Sequence, residues 1–138
     1  DLNSLYPHLI MQYNMSPDTM IPKIYPQEIN VKKLLEGEVD TSMLTTSTVT
    51  PNGALFSTKK QGFLPELLEE MYDQRVLFKN KMIESQKQLE LTPKDDLVKR
   101  KKLEYEIVKY NNNQMVRKIS LNSAYGALGN QYFRYFWN

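Results

Sequence analysis

The chain has 138 residues and a formal net charge of +2, with no cysteine and a single histidine. The absence of cysteine excludes disulfides and thiolate metal sites, and one histidine excludes a metal site built from several. The small net charge excludes a strongly basic nucleic-acid binder, so attraction for phosphate must come from local clusters. No apolar run approaches the ~20 residues that a membrane-spanning helix needs, and we expect no membrane partner.

The first part of the chain is predicted to contain short elements and a loop. Asp1–Leu5 alternates roughly between polar and apolar residues, which predicts the end of a strand. Ser4 is a favourable N-cap for a helix over Tyr6–Tyr13. The prolines of Asn14–Pro26 predict an extended loop.

A short helix and a hairpin are predicted next. Val31–Leu35 has the pattern of one or two helical turns, whereas Asp40–Thr50 shows no clear period. The turn signal Pro51-Asn52-Gly53 predicts a β-hairpin that pairs Thr48–Thr50 with Ala54–Ser57.

Two long helical patterns follow. Apolar residues recur at spacings of three and four over Leu64–Leu91. In Thr92-Pro93-Lys94-Asp95, the threonine is the predicted N-cap of a second helix that runs to Tyr125. We expect Gly126 and Gly129 to end it. The predicted fold class is α+β: short strands and a helix, plus an antiparallel two-helix hairpin about 40 Å long.

Three polar residues near the end of the second helix share one face. Lys118, Asn122 and Tyr125 stand at i, i+4 and i+7. A lysine suits phosphate, an aromatic ring suits a base or a sugar, and an amide can bond to either. The opposite face carries apolar residues that can be buried: Ile119, Leu121 and Ala124. On spacing alone, an ordinary helix with a mixed surface is the stronger interpretation.

Two longer segments carry a family resemblance. Lys118-Ile-Ser-Leu-Asn-Ser-Ala-Tyr-Gly126 resembles motif B of the family B DNA polymerases, and Asp1-Leu-Asn-Ser-Leu-Tyr-Pro7 resembles their motif A. The two segments occur in the family's order. Three further segments are most similar to the replicative polymerases of large tailed bacteriophages: Met15-Ser-Pro-Asp-Thr19, Gly126-Ala-Leu-Gly-Asn130 and Phe133-Arg-Tyr135.

The resemblance implies template-directed DNA synthesis, in which a deoxynucleotidyl group passes from a dNTP to a primer 3′-hydroxyl. It implies two Mg²⁺ ions as cofactors. Asp1 would be the catalytic carboxylate and a metal ligand, and the backbone carbonyl of Leu2 would be a second ligand. A lone aspartate at a strand end is usually structural, so this assignment depends on the motif.

The resemblance also implies contacts with the nucleotide. Ser4 and Leu5 would give backbone contacts to the phosphates. Tyr6 would act as a steric gate beneath the sugar, where a ribose 2′-hydroxyl would collide with it. Tyr125 and Gly126 would lie against the nascent base pair, because a residue without Cβ permits close approach.

A cationic cradle for the triphosphate is a further prediction. Arg75 and Lys79 stand four residues apart, so they share a helix face. Together with Lys118 they would hold the β- and γ-phosphates, and Asn122 would contact the same dNTP. The family has a similar Arg-x-x-x-Lys on its first fingers helix. His8 departs from the family's usual serine, and we interpret it as a packing change.

The predicted organisation has three parts: residues 1–62 form a palm segment with motif A, residues 63–127 form the fingers hairpin ending in motif B, and residues 128–138 return to the palm. Family members are several times longer, so we expect a piece of a larger polymerase. Its partners would be primer–template DNA and the remaining exonuclease, palm and thumb regions, with a sliding clamp as a further candidate. The predicted location is the cytoplasm of an infected bacterial host.

Two alternatives to an intact polymerase stay open. The family's second carboxylate motif, Asp-Thr-Asp, does not occur in the sequence, so we expect these residues alone not to polymerise DNA. A subunit of a split polymerase would also fit. The rival from another class is a non-catalytic helical module that binds nucleic acid or protein through one basic face and needs no Mg²⁺.

Overall fold

The computed structural model describes residues 4–132, and it combines helices with a small antiparallel sheet. This arrangement confirms the predicted α+β class. In chain order the elements are α1 (Leu5–Gln12), β1 (Met20–Ile24), α2 (Val31–Leu35), β2 (Ser47–Val49), β3 (Ala54–Ser57), α3 (Phe63–Leu91) and α4 (Leu97–Leu128). Within the described residues, no helix is both long enough and apolar enough to cross a membrane.

The predicted hairpin is confirmed as β2 and β3. Val49 pairs with Leu55, and the Gly53 N–H donates to the Thr50 carbonyl at 2.8 Å to close the turn. Gly53 has a φ of +84°, which favours a residue without Cβ, and an added Cβ would lie 3.0 Å from the Ile24 side chain. The turn residues therefore fix the hairpin as the sequence predicted.

The first strand was not predicted. Met20–Ile24 was assigned to an extended loop because of its prolines, yet it forms β1 and pairs antiparallel with β3. The sheet order is β1-β3-β2, so β1 is an edge strand. Pro22 is compatible with an edge strand because its missing N–H leaves no ladder bond broken, and the register shifts between Ile21 and Ile24. The prediction of a loop here was wrong.

The start of α1 differs slightly from the prediction. Ser4 is at the N-cap position, as expected, but its side chain makes no capping hydrogen bond. Leu5 is already helical, so the predicted strand does not reach it, and Tyr13 is the C-cap. Residues 1–3 and 133–138 lie outside the described residues, so the predicted strand end at Asp1 and the return to a sheet after Gln131 are not covered.

The turn between α3 and α4 is capped differently from the prediction. Thr92 is the C-cap of α3, with its Oγ1 donating to the Gln88 carbonyl at 2.7 Å. The N-cap of α4 is Asp96, whose carboxylate accepts from the Lys99 N–H at 3.2 Å. The assignment of Thr92 as the N-cap was wrong. Threonine and aspartate side chains both form hydrogen bonds with backbone groups at helix ends. The sequence alone therefore did not show which of Thr92 and Asp96 is the N-cap of α4.

The C-terminal end of α4 also differs in part. The helix continues through Gly126 to Leu128, and Gly129 is its C-cap. The prediction that Gly126 ends the helix was wrong, whereas Gly129 was correctly placed at its end. A glycine inside a helix costs only about 1 kcal/mol relative to alanine, so packing elsewhere in α4 can carry the helix past it.

The hydrophobic core lies where α1 packs against α3 and α4. Ile10, Leu64, Leu68 and Leu121 form it, and Leu68 is completely buried. The two long helices pack against each other as the predicted antiparallel hairpin. Ile119 was expected on the buried face but is 59% exposed, because Leu121 takes the inward position. This core fixes the start of α1 beside α3.

A buried asparagine ties the sheet and α1 to the start of α3. Asn14, at the end of the α1 segment, has a φ of +52° and is buried. Its side-chain amide donates to the carbonyls of Ser57 and Lys60, at 2.7 and 2.9 Å. Its side-chain oxygen accepts from the Gly62 N–H at 2.9 Å. All three bonds fix the loop from which α3 begins.

Candidate functional site

The N-terminus of α1 is joined to α3 by a buried polar contact. Nη1 of Arg75 donates a hydrogen bond to Oγ of Ser4 at 2.7 Å, across 71 positions of sequence. Both residues are buried, with Arg75 8% exposed and Ser4 4% exposed. A buried guanidinium is stable only where polar groups accept its protons. The contact therefore places a permanent positive charge beside the first turn of α1.

A cavity of about 340 Å³ opens at this contact. It is lined by Ser4, Leu5, His8, Tyr72, Arg75, Val76 and Lys79. Arg75 and Lys79 occupy one face of α3, as their spacing predicted, and Lys79 is exposed. The first N–H groups of a helix attract anions, and α1 begins at this wall. The combination suits a phosphate-bearing ligand.

His8 belongs to the same wall, which sequence reasoning missed. Its Nδ1 lies 2.7 Å from the Ser4 carbonyl oxygen. Its ring stands edge-on to the Tyr72 ring, with centroids 4.5 Å apart and an interplanar angle of 85°. The interpretation as a packing change accounts for these contacts but not for its place in the cavity. His8 follows Ser4 by one helical turn, and this spacing was the only sequence feature that could have indicated that both residues lie on the same side of α1.

Two tyrosines from the two polymerase-like segments stack on each other. The rings of Tyr6 and Tyr125 have centroids 4.1 Å apart and are nearly parallel, at 9°. Each ring is about half exposed. An offset ring pair of this kind is worth about 0.5–1.5 kcal/mol beyond its buried area. The end of α4 is thus brought directly onto α1.

A second, larger cavity is lined by both tyrosines of the pair. Its volume is about 640 Å³, and it runs between α1, the β2–β3 turn and the end of α4. Tyr6, Tyr125, Met20, Pro51 and Phe56 are among its lining residues. The stacked rings therefore belong to the wall of this cavity, whereas neither of them lines the cavity of Arg75 and Lys79.

The remaining predicted residues of α4 are in the helix but not in the first cavity. Lys118, Asn122 and Tyr125 all belong to α4, so their shared face follows from the helix itself. Lys118 is half-buried and Asn122 is exposed. Among the described residues, Lys118 does not line the cavity of Arg75 and Lys79. Gly126 is exposed, and an added Cβ there would meet nothing within 4 Å.

The predicted metal ligands, Asp1 and Leu2, lie outside the described residues. Within residues 4–132, no group of three or more acidic, histidine or cysteine side chains could hold a metal ion. The predicted Mg²⁺ site depends on Asp1.

Three carboxyl groups have shifted pKa values, and none lines the first cavity. The Ser16 hydroxyl lowers the pKa of Asp18 by a hydrogen bond, and the Ser42 hydroxyl does the same for Asp40. The Lys33 ammonium lowers the pKa of Glu28. These exposed groups support loops and helix ends and have no part in the site.

Cation–aromatic contacts hold the two long helices together beyond the cavity. The Arg117 guanidinium lies 4.6 Å from the centroid of the Phe78 ring, and its Nε donates to Oε1 of Gln74 at 2.9 Å. Lys81 lies 5.8 Å from the rings of both Phe78 and Tyr110. These contacts keep the middle of α3 fixed against α4, next to the segment that carries Arg75.

The chain is similar to known DNA polymerases over almost its whole length. The model of DNA polymerase family B matches residues 1–136. The chain is 28% identical to the DNA-directed DNA polymerase of Enterobacteria phage T4 and 27% identical to that of Escherichia phage RB69, over 99% of the chain in each case. It is 30% identical to the DNA polymerase delta catalytic subunit of Caenorhabditis elegans, over 94% of the chain.

The chain matches only part of each relative. It spans 19% of the two phage polymerases and 9% of the nematode subunit. The match nevertheless covers almost the whole chain, including both polymerase-like segments and the hairpin between them. The chain belongs to DNA polymerase family B.

Proposed function

We propose that the chain is the palm–fingers part of a DNA-directed DNA polymerase. The observation that carries the proposal is the Arg75–Ser4 hydrogen bond, which joins the first polymerase-like segment to the cationic face of α3 at one cavity. In this proposal, residues 1–62 belong to the palm, residues 63–127 form the fingers hairpin and residues 128–138 return to the palm. The family match supports the proposal.

The triphosphate of the incoming dNTP would occupy the cavity between α1 and α3. Arg75 and Lys79 would hold its phosphate oxygens by charge-assisted hydrogen bonds. The backbone of Ser4 and Leu5 would add contacts at the start of α1. Lys118 is half-buried on α4 and does not line this cavity, so its proposed role as the third cation requires the triphosphate to extend from the cavity towards α4.

The sugar and base would lie beside the tyrosine pair. Tyr6 is proposed as the steric gate against a ribose 2′-hydroxyl, and its stack on Tyr125 supports a fixed ring position. Tyr125 and Gly126 are proposed to lie against the nascent base pair, with Asn122 contacting the nucleotide. The open space next to Gly126 is compatible with a base pair there.

The reaction is the attack of a primer 3′-hydroxyl on the α-phosphate, with release of pyrophosphate. Asp1 and the Leu2 carbonyl would hold Mg²⁺, which offsets negative charge on the attacking and leaving oxygens when bound. Arg75 and Lys79 would orient the β- and γ-phosphates as the leaving group. The other regions of the enzyme and the primer–template DNA are the proposed partners.

The source of the chain remains a prediction. Phage and eukaryotic polymerases both match it. The phage matches extend over slightly more of the chain, which supports the proposal of a phage enzyme acting in the cytoplasm of an infected bacterium.

The proposal is tested by primer extension with the full-length polymerase that carries this segment. Asp1→Asn removes a carboxylate charge at almost constant size, and we expect it to reduce nucleotide incorporation at least about a thousandfold, since the loss of a metal ligand removes several kcal/mol of transition-state stabilisation. Asp95→Asn, in the exposed turn between α3 and α4, is the matched control and should leave the rate unchanged.

Two outcomes would count against the proposal. One is an Asp1→Asn enzyme as active as the wild type. The other is a wild-type protein that binds primer–template DNA but never extends it, which would favour the non-catalytic helical module.

A further inference from the structure

The single histidine of the chain lines the cavity of Arg75 and Lys79. His8 follows Ser4 by one turn of α1, and its side chain is exposed. An imidazole is the side chain whose ordinary charge change falls between pH 5 and 8.

Two contacts fix the orientation and the tautomer of the ring. The Ser4 carbonyl oxygen lies 2.7 Å from Nδ1, and the Tyr72 ring meets the imidazole edge-on. A carbonyl oxygen can only accept, so Nδ1 must carry a proton and donate it. Nε2 is then the ring nitrogen that remains for a ligand.

The hydrogen-bond chemistry of Nε2 depends on the charge of the ring. In the neutral ring with a proton on Nδ1, Nε2 is an acceptor, and so is a phosphate oxygen. Nε2 can donate to phosphate only when both ring nitrogens are protonated. Because Nδ1 is already committed to Ser4, the neutral ring has no second donor to offer.

The neighbouring charges couple this protonation to an anion. Among the described residues, the other charged or titratable groups lining the cavity are Arg75, Lys79 and Tyr72. Negative charge beside an imidazole favours its protonated, positively charged form. A polyphosphate entering the cavity supplies that charge, so the anion and the proton are expected to bind together.

We propose that His8 is a phosphate-binding residue that takes up a proton when the polyphosphate group of a nucleotide enters the cavity. The identity of that ligand rests on the proposed function. Nδ1 keeps its bond to Ser4, and Nε2 gains a proton from solvent and donates it to a phosphate oxygen. The nucleotide affinity of this polymerase therefore rises as the pH falls towards 6.

The test is calorimetric titration of the full-length polymerase with inorganic tripolyphosphate in two buffers that differ in ionisation enthalpy. The comparison variant is His8→Asn, whose side-chain amide can keep the donor to the Ser4 carbonyl but cannot gain a proton. Near pH 7 the wild type should take up more protons per ligand than the variant, by up to about one, since one imidazole binds one proton. Proton exchange by the ligand itself cancels in the comparison.

The affinities provide a second measurement. At pH 6 the wild type should bind tripolyphosphate about three- to tenfold more tightly than His8→Asn, as expected for one partly exposed charge-assisted hydrogen bond. At pH 8 the two affinities should agree within about twofold, because the neutral imidazole offers no donor there. His8→Ser, with the residue usual in the family, replaces the asparagine variant if that variant does not fold.

Equal proton uptake by wild type and variant, or an affinity ratio that is the same at pH 6 and pH 8, would overturn the role of His8. This failure is distinguishable from failure of the proposed function. A polymerase that extends primers but shows equal proton uptake loses only the inference about His8. A protein with the predicted proton uptake and no primer extension keeps the phosphate site and loses the polymerase assignment.

Discussion

Arg75 and Lys79 share one face of α3 but differ in how they are held. Arg75 is buried and donates to Ser4, so its guanidinium has a fixed position on the cavity wall. Lys79 is exposed one turn later, and its long side chain keeps more rotamer freedom. We therefore expect Arg75 to be pre-organised for the proposed phosphate ligand, and Lys79 to become ordered only when that ligand binds.

The Tyr6–Tyr125 stack leads to a prediction about sugar selection. Tyr6→Ala should lower the preference for dNTP over rNTP by about 10- to 200-fold, the range that a steric pocket supplies. If Tyr125 holds the gate in place, Tyr125→Ala should lose part of this selectivity. The double variant should then be no less selective than Tyr6→Ala alone.

Single-nucleotide extension with matched dNTP and rNTP measures this selectivity. Tyr105→Ala is the control, because Tyr105 is a 70% exposed tyrosine of the same helix that does not contact Tyr6. Unchanged selectivity in Tyr6→Ala would remove Tyr6 from the gate. Strictly additive effects of the two substitutions would show that the stack does not support it.

Contacts between side chains that are distant in sequence could be predicted only where a family motif assigned both residues to the same site. The resemblance indicated Ser4, Tyr6, Arg75 and Tyr125 as residues of one site, but no pattern in the sequence could show that Arg75 bonds to Ser4. That bond depends on how α1 docks on α3. The role of His8 in the cavity wall was missed for the same reason.

The turn between the two long helices has a clear capping arrangement. Asp96 accepts the Lys99 N–H at the start of α4, and Arg100 donates to the carbonyls of Leu89 and Thr92 at the end of α3. The bonds to the Lys99 N–H and the Thr92 carbonyl satisfy backbone groups at helix ends, and the bond to the Leu89 carbonyl adds to the one that this oxygen accepts from the Thr92 N–H. The turn therefore sets where α3 stops and α4 begins.

Removing this cap should destabilise the hairpin. Asp96→Ala is expected to lower the free energy of unfolding by about 0.5–2 kcal/mol, the usual cost of losing an N-cap side chain. Asp95→Ala removes a neighbouring carboxylate of equal charge that does not cap the helix, so it should have a smaller effect. Urea denaturation followed by circular dichroism measures both, and equal losses would contradict the capping role of Asp96.

Long, periodic elements were predictable and irregular ones were not. The repeats of apolar residues identified α3 and α4, and Pro51-Asn52-Gly53 identified the hairpin, because local patterns determine both kinds of element. The strand β1 was not predicted because it contains Pro22, and proline is compatible with a strand mainly when that strand lies at the edge of a sheet. Edge position is a property of the sheet, which the local sequence does not contain.

The molecule is organised by the packing of α1 on the hairpin. Ile10 of α1, Leu68 of α3 and Leu121 of α4 belong to one hydrophobic core. This core holds the start of α1 against α3, the helix that carries Arg75 and Lys79. Burying each of the core side chains contributes about 1.5–3 kcal/mol. The chain spans only about a fifth of the length of the phage relatives that it matches.

In the proposed function, the cavity between α1 and α3 binds the triphosphate of the incoming nucleotide. The most direct test is the concentration dependence of single-turnover dNTP incorporation by Arg75→Ala in the full-length polymerase. Lys87→Ala, an exposed cation further along the same helix, is the control. We predict that Arg75→Ala raises the apparent KM for dNTP about ten- to a hundredfold, the effect of losing a charge-assisted hydrogen bond, and that Lys87→Ala leaves it unchanged. An Arg75→Ala enzyme with wild-type KM and kcat would contradict the claim.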